Sequence, residues 1–270
     1  MKEILPLNQI ICGNCAEVMK QFPNNSIDLT VTSPPYDLIR DYKGYTFNFK
    51  GIAKELYRVT KSGGVVVWVV ADQTKDGTES GTSFKQALYF KEEVGFNLWD
   101  TMIYIKDGCG FPETGKRYTL AFEYMFILTK GNPKTFNPIK IRNKYFTRQP
   151  KISSTYRQRS GETINKIMNL YPEGRLYNVW YYSSGYMKTT KDKEAYKHPA
   201  MFPEKLVEDQ ILSWSNPGDI VLDPMIGSGT TAKMAILTER KYIGIDISEE
   251  YCRDARKRIK NIGNIDKFLK

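Results

Sequence analysis

The sequence predicts an α/β fold built on a doubly wound, mostly parallel sheet. Short runs of β-branched and apolar residues alternate along the chain with stretches in which apolar residues follow helical spacing. The longest apolar run, Val65 to Ala71, is continuous, as expected of a parallel strand that is covered on both faces. Sheets of this kind bind ligands beyond the carboxyl ends of their strands, so the chemistry is expected there.

The individual elements follow from these periods and from turn residues. Pro34 and Pro35 end the first strand, and the segment 61–64, which carries Gly63 and Gly64, is expected to end the first helix. The predicted strands are 27–32, 65–71, 99–105, 121–129, 220–222 and 242–245. The predicted helices are 52–59, 84–94 and 203–213, with one more from about 230 and a last one from about 249.

Length and composition exclude several classes of protein. With 270 residues, 41% of them hydrophobic and 26% charged, the chain has ordinary globular composition and is not disordered throughout. No apolar run approaches the roughly 20 residues of a membrane span. Four cysteines do not make a disulfide framework, so a reducing, cytoplasmic setting is expected.

The net charge of +10 is concentrated in one part of the chain. Residues 132–195 carry 13 Lys and Arg against 4 Asp and Glu, together with many aromatic residues. This segment predicts a surface for a polyanion on an otherwise near-neutral protein. The predicted organisation is a first α/β half at 1–131, an inserted basic segment at 132–195 and a second α/β half at 196–270.

A glycine turn follows the predicted strand 220–222. Asp223 stands at the end of the strand, Gly227 and Gly229 let the backbone approach a ligand, and a helix opens at Thr230. The P-loop pattern fails because Thr230 follows Gly229, and the dinucleotide pattern G-x-G-x-x-G fails at Ala232. A carboxylate beside such a turn suits a cationic ligand such as the amino-acid end of S-adenosylmethionine. Asp246, after the next strand, is placed to accept hydrogen bonds from ribose hydroxyls.

A second turn, Ser33-Pro34-Pro35-Tyr36, follows the first strand. Its two prolines make it stiff and rich in carbonyl groups. The Ser33 hydroxyl and the Pro34 carbonyl can accept the protons of an exocyclic NH2 group, and Tyr36 can stack on the ring that carries it.

Together these segments resemble the amino-methyltransferases of DNA. The resemblance rests on 32–36, on 223–231 and on the segment 198–206, and the order in which they occur resembles the circularly permuted β group of that family. It implies a Rossmann-like methyltransferase fold, S-adenosylmethionine as cofactor, double-stranded DNA as substrate and base flipping. It also implies a restriction-modification setting, with a restriction endonuclease as a candidate partner, and a monomer or a homodimer.

The resemblance carries over roles for particular residues. Asp223 is expected near the methionine ammonium, Asp246 on the ribose, and Asn14, where the family has Asp, near the adenine. Further cofactor contacts are expected from Phe202, Pro224, Met225, Gly227, Gly229 and Thr230. Ser33, Pro34, Pro35 and Tyr36 form the expected catalytic turn. The DNA contacts expected from the basic segment are Lys140, Arg142, Lys144, Arg148, Lys151, Arg157 and Arg159.

The first residue of the catalytic turn bears on the methylated base. In the family, Ser before Pro-Pro-Tyr mostly goes with the N4 amine of cytosine, whereas Asp or Asn mostly goes with the N6 amine of adenine. The sequence therefore predicts a cytosine-N4 enzyme. The adenine-N6 enzyme, a DNA-binding protein without catalysis, and a methyltransferase for RNA or protein glutamine stay as alternatives.

No metal site is predicted. Cys12 and Cys15 have C-x-x-C spacing, but Cys109 and Cys252 are isolated in the sequence, so the further ligands of a zinc site are lacking. His198, the single histidine, has no nucleophile near it in the sequence and is expected to pack on the cofactor side.

Overall fold

The computed structural model describes residues 5–35, 47–107, 116–143, 146, 151–198 and 201–265. Within them the chain divides into two compact units, one formed by 1–137 with 178–270 and the other by 138–177. The predicted insertion 132–195 is wider than this smaller unit, because residues 179–183 form a strand of the larger unit's sheet.

The larger unit contains the strands of one eight-stranded sheet, as far as the described residues show, and a two-stranded hairpin. The strands of the unit are β1 (Gln9–Cys12), β2 (Ile27–Thr32), β3 (Thr60–Val70), β4 (Thr74–Lys75), β5 (Thr78–Glu79), β6 (Asn97–Asp107), β7 (Phe122–Thr129), β12 (Val179–Ser183), β13 (Ile220–Asp223) and β14 (Lys241–Asp246). The smaller unit contains β8 (Lys140–Arg142), β9 (Lys151–Arg157), β10 (Thr163–Asn169) and β11 (Glu173–Arg175).

Six α-helices are described, all in the larger unit. They are α1 (Cys15–Met19), α2 (Phe49–Val59), α3 (Thr82–Tyr89), α4 (Glu204–Trp214), α5 (Thr230–Leu237) and α6 (Glu249–Ile265). A π-helical turn, Phe90–Val94, prolongs α3, and a 3-10 turn covers Lys193–Lys197. Among the helices of the described residues, none combines the length and the apolar composition of a membrane span.

The sheet is mostly parallel, as the sequence predicts. Its strand order is β1-β14-β13-β2-β3-β7-β6-β12. Only β7 runs against its neighbours, because its pairs with β3 and β6 are antiparallel and every other described pair in the sheet is parallel. The predicted doubly wound fold is therefore confirmed. The carboxyl ends of β1, β14, β13 and β2 meet at one edge, which brings the segments that follow them together.

The core lies against both faces of the central strands. Val65 to Val70 in β3 are buried on both faces, which explains the unbroken apolar run. Trp68 is fully buried, and its indole N–H donates to Gln86 Oε1 of α3 at 2.8 Å. This bond satisfies the polar atom that burial would otherwise leave unpaired.

The predicted end of the first helix at residue 59 is confirmed, but the expectation that the segment 61–64 forms the turn that ends it is wrong, because this segment lies inside β3. Helix α2 ends at Val59, and β3 begins at Thr60 without a turn between them. Thr60 caps the helix, since its Oγ1 donates to the Leu56 carbonyl at 2.6 Å. Gly63, at φ +79°, lies inside β3, where an added Cβ would lie 2.9 Å from Lys134 Cβ. Glycine at this position serves the close approach of two chain segments rather than a helix end.

Candidate functional site

A cavity of about 800 Å³ opens at the carboxyl edge of the sheet. The predicted catalytic turn and the glycine turn both contribute to its wall, although about 190 residues of sequence separate them. The residues predicted for the site that line it are Asn14, Ser33, Pro34, Pro35, Phe202, Asp223, Pro224, Met225, Gly227, Thr230 and Asp246. Tyr36 lies outside the described residues.

Asp223 is buried where β13 ends. Its Oδ1 accepts hydrogen bonds from Thr32 Oγ1 at 2.7 Å and from the Met225 N–H at 3.1 Å. Its Oδ2 accepts one from Thr231 Oγ1 at 2.6 Å. Burial raises the pKa of this carboxyl to about 6, with Asp246 raising it further and the three hydrogen bonds lowering it. A carboxylate held this way favours a cation beside it, because a cation offsets the cost of its burial.

Asp246 fixes the backbone on either side of the cavity. Its Oδ2 accepts the Gly227 N–H at 2.9 Å, and its Oδ1 accepts the Ser248 N–H at 2.9 Å. The carboxylate therefore ties the end of β14 to the glycine turn. Each carboxylate oxygen has a second lone pair with which a ligand hydroxyl can be bound.

The two predicted glycines, Gly227 and Gly229, pack against different parts of the structure. Gly227, at φ +49°, lies under His198, and an added Cβ would be 2.8 Å from His198 Nε2. The His198 ring also meets Tyr251 edge to face, with 4.4 Å between the ring centroids. Gly229, at φ +83°, lies against α6 instead, where a Cβ would be 3.0 Å from Ala255 Cβ. Of the described residues that line the cavity, Gly227 is one and Gly229 is not.

An ionic cluster centred on a buried arginine of α6 packs against the glycine turn. The Arg258 side chain of α6, which is only 4% exposed, donates to the Ser228 carbonyl at 2.9 Å and to Thr230 Oγ1 at 3.0 Å. It also bonds Asp192 Oδ2 at 2.8 Å and Glu204 Oε1 at 2.5 Å, and Lys233 bonds the same two carboxylates. Sequence reasoning missed this cluster, because its members come from four separate segments.

The catalytic turn is positioned by β2. This strand lies between β13 and β3, with Thr32 in register with Trp68. Ser33 and Pro35 are half-buried and Pro34 is buried at the cavity wall. Since Thr32 donates to Asp223, the start of the catalytic turn and the start of the glycine turn are held together by one side-chain bond.

Asn14 has a structural task that sequence reasoning did not predict. Its Oδ1 accepts the N–H groups of Ala16 at 3.0 Å and Glu17 at 3.4 Å, and so caps the start of α1. The same oxygen is the predicted acceptor for an adenine amine. Asn14 still lines the cavity.

The basic residues predicted for DNA lie in the smaller unit. Lys144 and Arg148 are outside the described residues. The others, Lys140, Arg142, Lys151, Arg157 and Arg159, are exposed. Lys140 forms an exposed ion pair with Glu173 at 3.7 Å.

The spacing of the cysteines in the sequence does not indicate which of them are neighbours in the structure. Cys12 lies near Cys252, and the two sulfur atoms and a Glu249 oxygen are within 4.8 Å of one another. Cys252 is thus isolated in sequence but not in space. Burial raises the pKa of its thiol to about 12. Glu249 is ion-paired with Arg256 at 2.9 Å.

Comparison with known proteins agrees with the fold. The chain matches a family described as DNA methylase, N6_N4_Mtase, over residues 27–257. It is 59% identical over 239 residues to the orphan methyltransferase M.BamHII of Bacillus amyloliquefaciens, covering 87% of this chain and 89% of that protein. It is 28% identical over 262 residues to the DNA adenine methyltransferase YhdJ of Escherichia coli strain K12, covering 93% and 82%.

Two solved structures share the fold. The cytosine-N4-specific PvuII DNA methyltransferase matches with a TM-score of 0.66 and 22% identity, covering 94% of this chain and 90% of that one. The complex of M1.HpyAVI with S-adenosylmethionine matches with a TM-score of 0.61 and 24% identity, covering 93% and 98%.

Proposed function

This chain belongs to the N6_N4_Mtase family of DNA methylases, and we propose that it transfers the methyl group of S-adenosylmethionine to the N4 amine of a cytosine extruded from double-stranded DNA. The observation that carries the proposal is the shared cavity. Ser33 to Pro35, which suit an exocyclic amine, and Asp223 with Gly227, which suit a cationic cofactor, line the same space.

The glycine-turn end of the cavity fits the cofactor in charge and in shape. Asp223 supplies a buried carboxylate for an ammonium group, and Asp246 supplies oxygens for ribose hydroxyls. Gly227 lets the backbone of the turn lie directly against His198 at the cavity wall, since a Cβ there would be only 2.8 Å from His198 Nε2. Further walls are assigned to Asn14, Phe202, Pro224, Met225 and Thr230. When bound, S-adenosylmethionine supplies an electrophilic methyl group on a sulfonium.

The catalytic turn is proposed to act on the amine. The lone pair of a cytosine N4 amine is delocalised into the ring and is a poor nucleophile. Hydrogen bonds from its two N–H groups to Ser33 Oγ and to the Pro34 carbonyl favour a pyramidal nitrogen whose lone pair is localised. Positioning and electrostatics would then carry the step without a covalent enzyme intermediate. The nitrogen would take the methyl group as the carbon–sulfur bond breaks to leave a neutral thioether, and one N–H proton would be lost to solvent. Tyr36, outside the described residues, is assigned to stack on the flipped ring.

The smaller unit is proposed to hold the DNA. Strands β9 and β10 form an antiparallel hairpin in which Arg157 pairs with Thr163 and Lys151 pairs with Asn169. Because side chains alternate between faces, Lys151, Ser153, Thr155 and Arg157 share one face. Residues of β10 are exposed throughout. A two-stranded ribbon with polar and basic side chains on one face fits the major groove of DNA. We assign DNA contacts to Lys140, Arg142, Lys144, Arg148, Lys151, Arg157 and Arg159.

Cytosine N4 is preferred over adenine N6 because the catalytic turn begins with Ser33. The likeness to the cytosine-N4-specific PvuII enzyme supports it. The adenine enzyme is the second candidate, favoured by the 28% identity to an adenine methyltransferase.

The test is methyl transfer followed by nucleoside analysis. The purified protein is incubated with unmethylated DNA and S-adenosylmethionine labelled in its methyl group, and the DNA is digested to nucleosides. Label in N4-methylcytosine is the expected result. Label in N6-methyladenine would establish the second candidate, and absence of label from DNA would contradict both.

A pair of matched substitutions tests the catalytic turn. Ser26 precedes β2 and Ser33 follows it, and Ser26 Oγ bonds the Pro23 carbonyl away from the cavity. Ser33→Ala should lower turnover by roughly 10- to 100-fold, the effect of losing one well-placed hydrogen bond. Ser26→Ala should keep turnover, and both variants should bind the cofactor. Equal turnover of the two variants would remove Ser33 from the mechanism.

The relative at 59% identity is named an orphan methyltransferase. On this similarity we propose that the present chain works without a dedicated restriction endonuclease. Extracts of its source cells should then leave unmethylated DNA uncut at the sites that the enzyme modifies. Cleavage at those sites would overturn this assignment.

A further inference from the structure

The cavity continues past the catalytic turn to the other half of the sheet. Tyr104 and Lys106 of β6 and Glu123 of β7 line it there, together with Asp72, which follows β3. Strand β7 runs antiparallel to β6, so the start of β7 and the end of β6 reach the same edge, with Tyr104 in register with Glu123. This part of the cavity lies beyond β2 and β3, on the side away from β13 and β14.

A charged pair forms the polar part of this wall. Lys106 Nζ is ion-paired with Glu123, and the two side chains are 31% and 11% exposed. Taking the Glu123 carboxylate largely out of water is costly, and a well-packed apolar residue is often as stable at such a place. Packing alone therefore does not explain charges at this place. A polar ligand bound in the cavity would explain the presence of these two charges.

The composition of the wall indicates which ligand. The Lys106 ammonium offers only donors, and the Glu123 carboxylate beside it would repel a phosphate, as would Asp72. A neutral ring with acceptor atoms fits better. Along one edge of cytosine the N4 amine is followed by two acceptors, first N3 and then O2, and a base whose amine lies at Ser33 and Pro34 would leave both for other side chains of the cavity.

We propose that Lys106 donates a hydrogen bond to the ring acceptors of the flipped base and that Glu123 holds Lys106 in place. The inference rests on the proposed function and deepens it. Lys106 is assigned a contact with the substrate. Glu123 is a positioning residue, since it acts through Lys106. Tyr104, buried beside the pair, supplies an aromatic wall.

The experiment compares Lys106→Met with Lys20→Met. Lys20 forms the same kind of pair, with Glu17 at 2.8 Å, but on the exposed surface of α1. Lys106→Met should lower kcat/KM for DNA by roughly 10- to 100-fold, as expected for a lost charge-assisted hydrogen bond. Its affinity for S-adenosylmethionine, measured by calorimetry, should stay that of wild type, which also shows that the variant is folded. Lys20→Met should match wild type in both.

Modified substrates separate a contact with the base from a general effect. DNA carrying 3-deazacytosine at the target lacks the N3 acceptor, and a second analogue without O2 lacks the other. If Lys106 bonds one of these atoms, Lys106→Met and removal of that atom abolish the same interaction. The decrease in kcat/KM when the two changes are combined is then smaller than expected from the two separate decreases. Full additivity with both analogues would overturn the proposal.

The role of Glu123 has its own readout. Glu123→Gln should reproduce the kcat/KM loss of Lys106→Met, and combining the two should add little further loss. Wild-type kcat/KM in Lys106→Met, with active wild-type enzyme, defeats only this inference. Absence of methyl transfer by the wild type would defeat the proposed function itself.

Discussion

Thr32 Oγ1 donates a hydrogen bond to Asp223 Oδ1 at 2.7 Å, across the neighbouring strands β2 and β13. Thr231 Oγ1 donates to the other oxygen at 2.6 Å. The carboxylate is thus enclosed by the ends of two strands and the start of α5. The two turns of the proposed active site depend on this one buried group for their spacing.

Asp223 makes the stability depend on pH. Burial raises its pKa to about 6 in the folded state, whereas an unfolded Asp titrates near ~3.9. The folded state therefore binds the proton more tightly. Its contribution to stability is complete below about pH 4 and is lost as pH rises through about 6. In urea titrations, Asp223→Asn should flatten this fall.

Asp76→Asn is the matched control, because Asp76 is an exposed turn residue with φ +51°, which Asn also tolerates. Its stability should follow the wild-type pH dependence. A fall between pH 4 and 6 that persists unchanged in Asp223→Asn would show that another group causes it.

The same carboxyl should make cofactor affinity depend on pH. The ionised form attracts the ammonium group, so binding of S-adenosylmethionine should tighten as pH rises through about 6 and release a proton below it. Calorimetry in buffers of different ionisation enthalpy measures both effects. Asp223→Asn should bind more weakly and without this pH dependence. A profile that stays the same in the variant would exclude Asp223 as its source.

Substitution of Asp246 is expected to change the affinity for the cofactor more than the KM for DNA. Asp246→Ala removes the acceptor of the Gly227 N–H and, with it, the acceptor that we propose for the ribose hydroxyls. Affinity for S-adenosylmethionine should fall by roughly 10- to 100-fold, as for a lost hydrogen bond to a charged group. KM for DNA at saturating cofactor should change little. Unchanged cofactor affinity by calorimetry would remove Asp246 from the site.

Arg258 is expected to stabilise the glycine turn. Arg258→Met leaves the partly exposed carboxylates of Asp192 and Glu204 with Lys233 as their remaining cation among the described residues, and it should cost about 3 kcal/mol, the low end for loss of one partner of a buried ion pair. Denaturant unfolding measures the loss. Arg258→Lys keeps the charge but cannot reach Ser228 and Glu204 together. Relative to Arg258→Met, it should recover part of the stability and a smaller part of the affinity for the cofactor. Wild-type stability in Arg258→Met would contradict this role.

The hairpin of β9 and β10 offers a comparison between its faces. Lys151 lies on the face with Arg157, whereas Lys166, paired with Ser154, lies on the other. If the face with Lys151 and Arg157 enters the DNA groove, Lys151→Ala should weaken the salt dependence of DNA binding. The slope of the logarithm of the association constant against the logarithm of salt concentration should fall in magnitude by about 0.9 for each phosphate that is no longer neutralised. Lys166→Ala should keep the wild-type slope. Equal effects of the two substitutions, measured by fluorescence anisotropy, would reject the face assignment.

The sequence by itself determined the order of the elements and the two turns. The signals for them are local and act over a few residues. They are continuous apolar runs such as Val65 to Ala71, and the glycines and prolines that interrupt the apolar pattern. They are enough to predict a mostly parallel sheet, to single out Ser33 to Pro35 and Asp223, and to indicate the family.

Only the tertiary structure decided what these segments meet. No local pattern distinguishes β7 as the reversed strand or places β12 at the sheet edge, because strand pairing depends on partners distant in sequence. The Lys106–Glu123 pair and the cluster around Arg258 arise in the same way. Their residues are ordinary surface types in sequence, and burial beside a particular partner gives them their role.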